Sequence, residues 1–96
     1  MNHRDIFKFT LYVAGGTQNS AQALSNLNAL CREYLPHRHI IEIVDVLRES
    51  KRALADGVFL TPALLKVAPA PFCKIVGTLS NTGPILRALG LESLAT

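Results

Sequence analysis

The chain has 96 residues, 49% of them hydrophobic and 18% charged, with a formal net charge of +3. That length and apolar content predict one domain, residues 1–96, with a small core, and exclude a disordered chain. The basic excess is scattered, so a nucleic-acid footprint, which needs a dense basic stripe with interleaved aromatics, is not expected, and no apolar run is long enough to span a bilayer.

The N-terminal MNHRDIFKF carries charges where a secretory signal needs an apolar core, so a cytoplasmic protein is expected. Residues 6–14 alternate, with Phe7, Phe9, Leu11 and Val13 on one face and Lys8, Thr10 and Tyr12 on the other. That period predicts a first strand. Gly15-Gly16 ends it, and Thr17, Asn19 or Ser20 caps a helix running to about Leu35. Its apolar stripe is Ala23, Leu24, Leu27, Leu30, Cys31 and Tyr34, and Pro36 stops it. Residues 39–47, HIIEIVDVL, predict a second strand, apolar enough to be covered on both faces. Two strands joined through a helix make a right-handed parallel unit.

Residues 49–56 predict a short second helix closed by Gly57. The next segment, LTPALLKV, divides. Thr61-Pro62 followed by Ala-Leu-Leu-Lys reads as a capped helix start, and equally as a short apolar strand entered through an X-Pro bond. Ala68-Pro69-Ala70-Pro71 is a tight connector, and residues 72–77, FCKIVG, read as a strand. So short a connector favours antiparallel neighbours. Ser80, Asn81 or Thr82 caps a last helix, with Pro84 in its first turn and Ile85, Leu86, Ala88, Leu89 and Leu91 as its apolar residues. The order is βαβαββα, an α/β thioredoxin-like arrangement. In that fold the third strand opens on a cis proline facing the start of the first helix, and Pro62 stands at that point.

Chemistry is hard to find along this frame. Redox enzymes of the fold place a thiol at the start of the first helix, where the helix N-terminus lowers its pKa. Here the loop reads Gly-Gly-Thr-Gln-Asn-Ser, Cys31 lies in the apolar stripe, and Cys73 starts a strand. Two distant thiols in a cytosolic protein are expected free rather than bridged. His37 and His39, with His3 the sole further histidine, are too few for zinc. Asp45 is expected to bond a nearby backbone amide rather than to catalyse. Gly15-Gly16 lacks a phosphate-loop pattern and reads as a turn. A binding domain without catalytic groups or cofactor is the expectation.

The stretches LYVAGGTQNS, IVDVL, LTPALLKVAPAP and KIVGTLS resemble the KaiB family of circadian clock proteins segment by segment, without a gap. Leu11 to Gly15, Thr17, Asn19, Ser20, Asp45 to Leu47, Thr61, Pro62, Leu64, Lys66, Val67, Pro69, Pro71, Ile75, Gly77, Leu79 and Ser80 fall at the family's positions. The resemblance implies a non-enzymatic regulator that binds the N-terminal ATPase ring of the KaiC ATPase and autokinase, in circadian timing or stress adaptation. Further partners it implies are KaiA and a sensor histidine kinase that carries a KaiB-like domain of its own. A detached sensor domain of that type, and a thioredoxin-like redox protein, are the competing readings. It also implies homo-oligomers, dimer or tetramer, and a C-terminal half able to refold between two arrangements. Pro62, Pro69, Pro71 and Ala88 are the candidates for that change, and Tyr12, Lys66 and Lys74 the candidates for partner contact. The chain departs from the family at Gln18, Gly57, Ala70, Ala88 and Gly90, and ends in LESLAT rather than an acidic tail. These departures suggest a homologue outside the core clock lineage.

Overall fold

The computed structural model describes residues 5–91. Its elements are β1 (Phe7–Val13), α1 (Gln18–Tyr34), β2 (His39–Asp45), α2 (Ser50–Ala55), β3 (Ala63–Ala68), β4 (Cys73–Val76) and α3 (Thr82–Leu89). The order is the expected βαβαββα, and the divided segment is a strand. The four strands lie in the order β2-β1-β3-β4, with β1 parallel to β2 and antiparallel to β3, and β3 antiparallel to β4. The peptide bonds before Pro62, Pro69 and Pro71 are all cis.

The period-two side chains sort into two layers. On one face Phe7, Phe9, Leu11 and Leu64 pack with Ala23, Leu27, Leu30 and Cys31 of α1 and with Ile85, Leu86 and Leu89 of α3. On the other a smaller cluster joins Tyr12, Val44, Ala63 and Leu65 to Ala53 of α2 and to Val58. α1 follows its expected stripe and bounds. α3 ends at Gly90, whose φ of 76° supplies the left-handed residue a helix terminus favours.

Two expectations are corrected. β2 is not covered on both faces: it is an edge strand, and Ile40 and Ile43 are 55% and 50% exposed. β1, flanked by β2 and β3, takes the central place instead, and the six residues of α2 are too few to roof β2. Conversely, Tyr12, expected to contact a partner, is buried, because β1 is central and Tyr12 packs with Val44, Ala63 and Leu65 of the neighbouring strands against Ala53 of α2 and Val58.

Candidate functional site

The start of α1 is where a thioredoxin-like enzyme would hold its thiol. Gly15, at φ 52°, turns the chain out of β1. Thr17 caps the helix: its Oγ1 accepts from the Ser20 amide at 3.3 Å and donates to Ser20 Oγ at 2.8 Å. Ser20 Oγ also accepts from the Ala14 amide at 3.0 Å. Both hydroxyls are therefore engaged in holding the turn, and the hollow of about 300 Å³ above it is lined by Val13, Leu24, Ile43 and the turn itself. Cys31 is fully buried, and burial pushes its thiol up to about 11, so it stays protonated at neutral pH. Cys73 is half-buried on β4, and both cysteines are free. Asp45 accepts from the Leu47 amide at 2.8 Å, the backbone role expected of it. Among the described residues no group of three His, Cys, Asp or Glu could hold a metal ion, and no helix is long and apolar enough to cross a membrane.

The opposite face, on the α2 side, is held by polar contacts. The Tyr12 hydroxyl donates to the Asp56 carboxylate just past α2. Burial, then that bond and the Asp56 charge, push Tyr12 up to about 12. Arg52 of α2 grips Glu42 of β2 with two bonds, of 2.8 and 2.5 Å, and lies 3.7 Å from Glu49. The guanidinium bonds hold the Glu42 carboxyl below the usual carboxylate range, and the Glu42 bond raises Arg52 in turn.

Beyond this buttress the face is open and apolar. Phe59, Leu60 and Val76 are 78%, 67% and 51% exposed and border a hollow of about 110 Å³ together with Lys74. The Lys74 ammonium donates to the Gly57 carbonyl at 2.9 Å, and Gly57 itself ends α2 at φ 71°. A cation thus stands beside a cluster of exposed aliphatic and aromatic side chains, an arrangement that fits a protein partner with apolar anchors and an acidic rim.

Of the residues singled out for partner contact, Lys74 is exposed and central to this surface. Tyr12 and Lys66 are 0% and 3% exposed, so in this fold neither presents its side chain to a partner. Tyr12 lies under α2, and Lys66 shares the face of Leu64, beneath the end of α3, where it donates to the Leu89 carbonyl at 3.4 Å. Pro62 is buried at the entry to β3, Pro69 and Pro71 lie in the β3–β4 connector, and Ala88 is exposed on α3. Sequence reasoning missed Phe59 and Leu60. Their signal is a run of apolar residues between Gly57 and Pro62 that belongs to no periodic element.

The KaiB domain model matches residues 10–91. The circadian clock protein KaiB3 of a Synechocystis species is 39% identical over 85% of this chain and 78% of its own length. The circadian clock oscillator protein KaiB of Thermostichus vulcanus is 38% identical over 92% and 82%. Among solved structures, the N-terminal domain of Synechococcus elongatus SasA superposes with a TM-score of 0.68 at 16% identity, covering 94% of this chain and 80% of that one. Drosophila melanogaster thioredoxin Deadhead gives a TM-score of 0.69 at 12% identity, covering 92% and 82%. The structural likenesses establish the thioredoxin-like fold.

Proposed function

The chain belongs to the KaiB family, and on that premise we propose that it is a non-enzymatic regulator that binds the KaiC ATPase and autokinase and modulates its cycle. The single observation carrying this reading is family membership over nearly the whole described chain, residues 10–91. Two features of the molecule support it. The start of α1 offers turn-forming hydroxyls and no thiol, so the reductase chemistry of the fold has no nucleophile there. The α2 face offers Phe59, Leu60 and Val76 with Lys74, an apolar surface of the kind a protein partner covers. Lys74 is the partner-contact residue of this reading, with the N-terminal ATPase ring of KaiC as its target and the cytoplasm as its location. KaiA and a sensor histidine kinase are secondary partners, and self-association to a dimer or tetramer belongs to the same reading. Refolding of the C-terminal half, with Pro62, Pro69, Pro71 and Ala88 in the moving part, is a further element of it.

The test is to capture the organism's own KaiC on immobilised protein and to follow KaiC ATP hydrolysis with and without it. Saturable capture with a changed hydrolysis rate is expected. No capture, together with reduction of disulfides by the purified protein, would overturn the proposal. A second reading, a KaiB-like sensor domain that docks on KaiC and signals to a kinase, is favoured by the likeness to the SasA N-terminal domain. It ranks second because that likeness is at 16% identity, against 38% to a KaiB clock protein. A kinase gene joined or adjacent to this one would reverse the ranking.

A further inference from the structure

The sheet ends at β4, which pairs with β3 and with no other strand among the described residues. The direction of its main-chain groups follows from one bond. The Gly77 amide donates to the Pro62 carbonyl at 2.9 Å, so Gly77 faces β3. In an antiparallel ladder alternate residues direct both their N–H and C=O the same way. Ile75 and Cys73, opposite Leu64 and Lys66, therefore also face β3, and Lys74 and Val76 direct theirs away from the sheet. This edge has neither a proline nor a bulge within Cys73–Val76 to blunt it.

A groove of about 340 Å³ runs beside the same edge, on the α3 side of the sheet. Ile75 and Leu79 form its floor, Ile85 and Ala88 its helical wall, and Ser80 and Asn81 part of its rim. A free strand edge alongside a helix, with an apolar groove between them, is the geometry in which an extended peptide adds a strand and sends alternate side chains into the groove. Charge selects the occupant. Residues 57–91 contain Lys66, Lys74 and Arg87 and no carboxylate. Lys74 projects from the edge strand and Arg87 is exposed on α3. Glu33 lines a separate hollow between α1 and the β4–α3 turn.

We infer that the β4 edge and the β4–α3 groove capture an extended acidic segment of a partner protein, its apolar side chains alternating into the groove and its carboxylates facing Lys74. The groove lies on the α3 side of the sheet and the KaiC reading uses the α2 side; the two share Lys74 and Val76 at the β4 edge, and the inference does not depend on KaiC being the partner.

The probe is a fluorescein-labelled peptide of alternating valine and glutamate, followed by fluorescence anisotropy, with the valine–lysine peptide as its counterpart. The acidic peptide is expected to bind at least about tenfold more tightly than the basic one, a preference that weakens with salt. Val76→Pro removes an outward N–H that the ladder to β3 does not use, so the sheet tolerates it while peptide binding falls about fivefold or more. Ala88→Leu, a helix-compatible change, fills the groove and weakens binding as well. Should Val76→Pro fold poorly, amide shifts of the unmodified protein on adding the acidic peptide decide, with Lys74 and Val76 expected among the largest. Equal binding of the two peptides, no binding of either, or shifts confined to other elements would overturn the inference. So would a dimer of the free protein that Val76→Pro dissolves, since the occupant would then be a second copy of this chain.

Discussion

The Lys66 ammonium lies 5.6 Å from the centre of the Phe7 ring and donates to the Leu89 carbonyl at 3.4 Å, while the residue is only 3% exposed. The ring face and the last carbonyl of α3 are both electron-rich, so the charge is met without a carboxylate. Lys66→Glu puts an anion against that carbonyl in the core and is expected to lower stability by about 3 kcal/mol or more. Lys66→Met keeps the aliphatic stem and removes the charge, and is expected to stay within about 1 kcal/mol of the parent. Urea unfolding of the two variants tests the pair; equal, small losses would mean that Lys66 reaches solvent.

Tyr12 gives the fold a dependence on alkaline pH. Its pKa is raised from 10.0 to about 12, first by burial and then by the Asp56 bond and charge. Below the unfolded value both states keep the proton and the contribution is complete. Above it the unfolded chain ionises while the folded one does not, so stability is lost as pH rises from 10.0 towards about 12. Tyr12→Phe is expected to flatten that part of the decline, and to lower neutral-pH stability by about 1 kcal/mol through the lost hydrogen bond. Denaturant midpoints measured across the alkaline range check both.

Lys74→Glu reverses the charge beside Phe59, Leu60 and Val76. The side chain is exposed, so stability is expected to change by less than about 1 kcal/mol. The KaiC association rate is expected to fall about three- to tenfold at low ionic strength, with the gap closing as salt is added. An unchanged rate in stopped-flow mixing at low salt would remove Lys74 from the KaiC surface.

Ala88 tests refolding of the C-terminal half. It is exposed on α3 at the open wall of the β4–α3 groove, so a larger side chain extends into open space rather than into the packed core. Ala88→Val disfavours the helix by about 0.5 kcal/mol and favours a strand by a similar amount. If two arrangements exchange, the ratio of their populations shifts about fivefold. The populations are read from paired amide resonances by NMR. One unshifted set in both proteins would mean that the half does not refold.

Most strands and helices were legible because their periods differ, and α1 is a clear case, with its stripe and caps found in place; LTPALLKV, short and apolar, read equally as a helix start and a strand, and only the structure makes it β3. What was not legible is which strand lies in the middle. β1 and β2 are both apolar, and only the insertion of β3 beside β1 makes one central and the other an edge. That placement buries Tyr12 and exposes Ile40 and Ile43. Lys66 was misread because a charge is taken as a mark of solvent. The period-two rule, which sets it on the face of Leu64 within ALLKVA, held the contrary signal. Phe59 and Leu60 escaped because residues outside regular elements have no period to judge them by.

The uneven distribution of acids has a kinetic consequence. Residues 5–56 carry six carboxylates against six lysines and arginines, whereas residues 57–91 carry three cations alone. Lys66 is buried, so among the described residues β4 and α3 show a local positive patch of Lys74 and Arg87 with no carboxylate of their own. In the field of an acidic body that patch is drawn forward before contact, so more encounters begin with β4 and α3 foremost. Dissolved ions erase that torque beyond about 10 Å at 0.1 M ionic strength, and approach then becomes random in direction. The lifetime of a complex once formed is set by close contacts and changes much less.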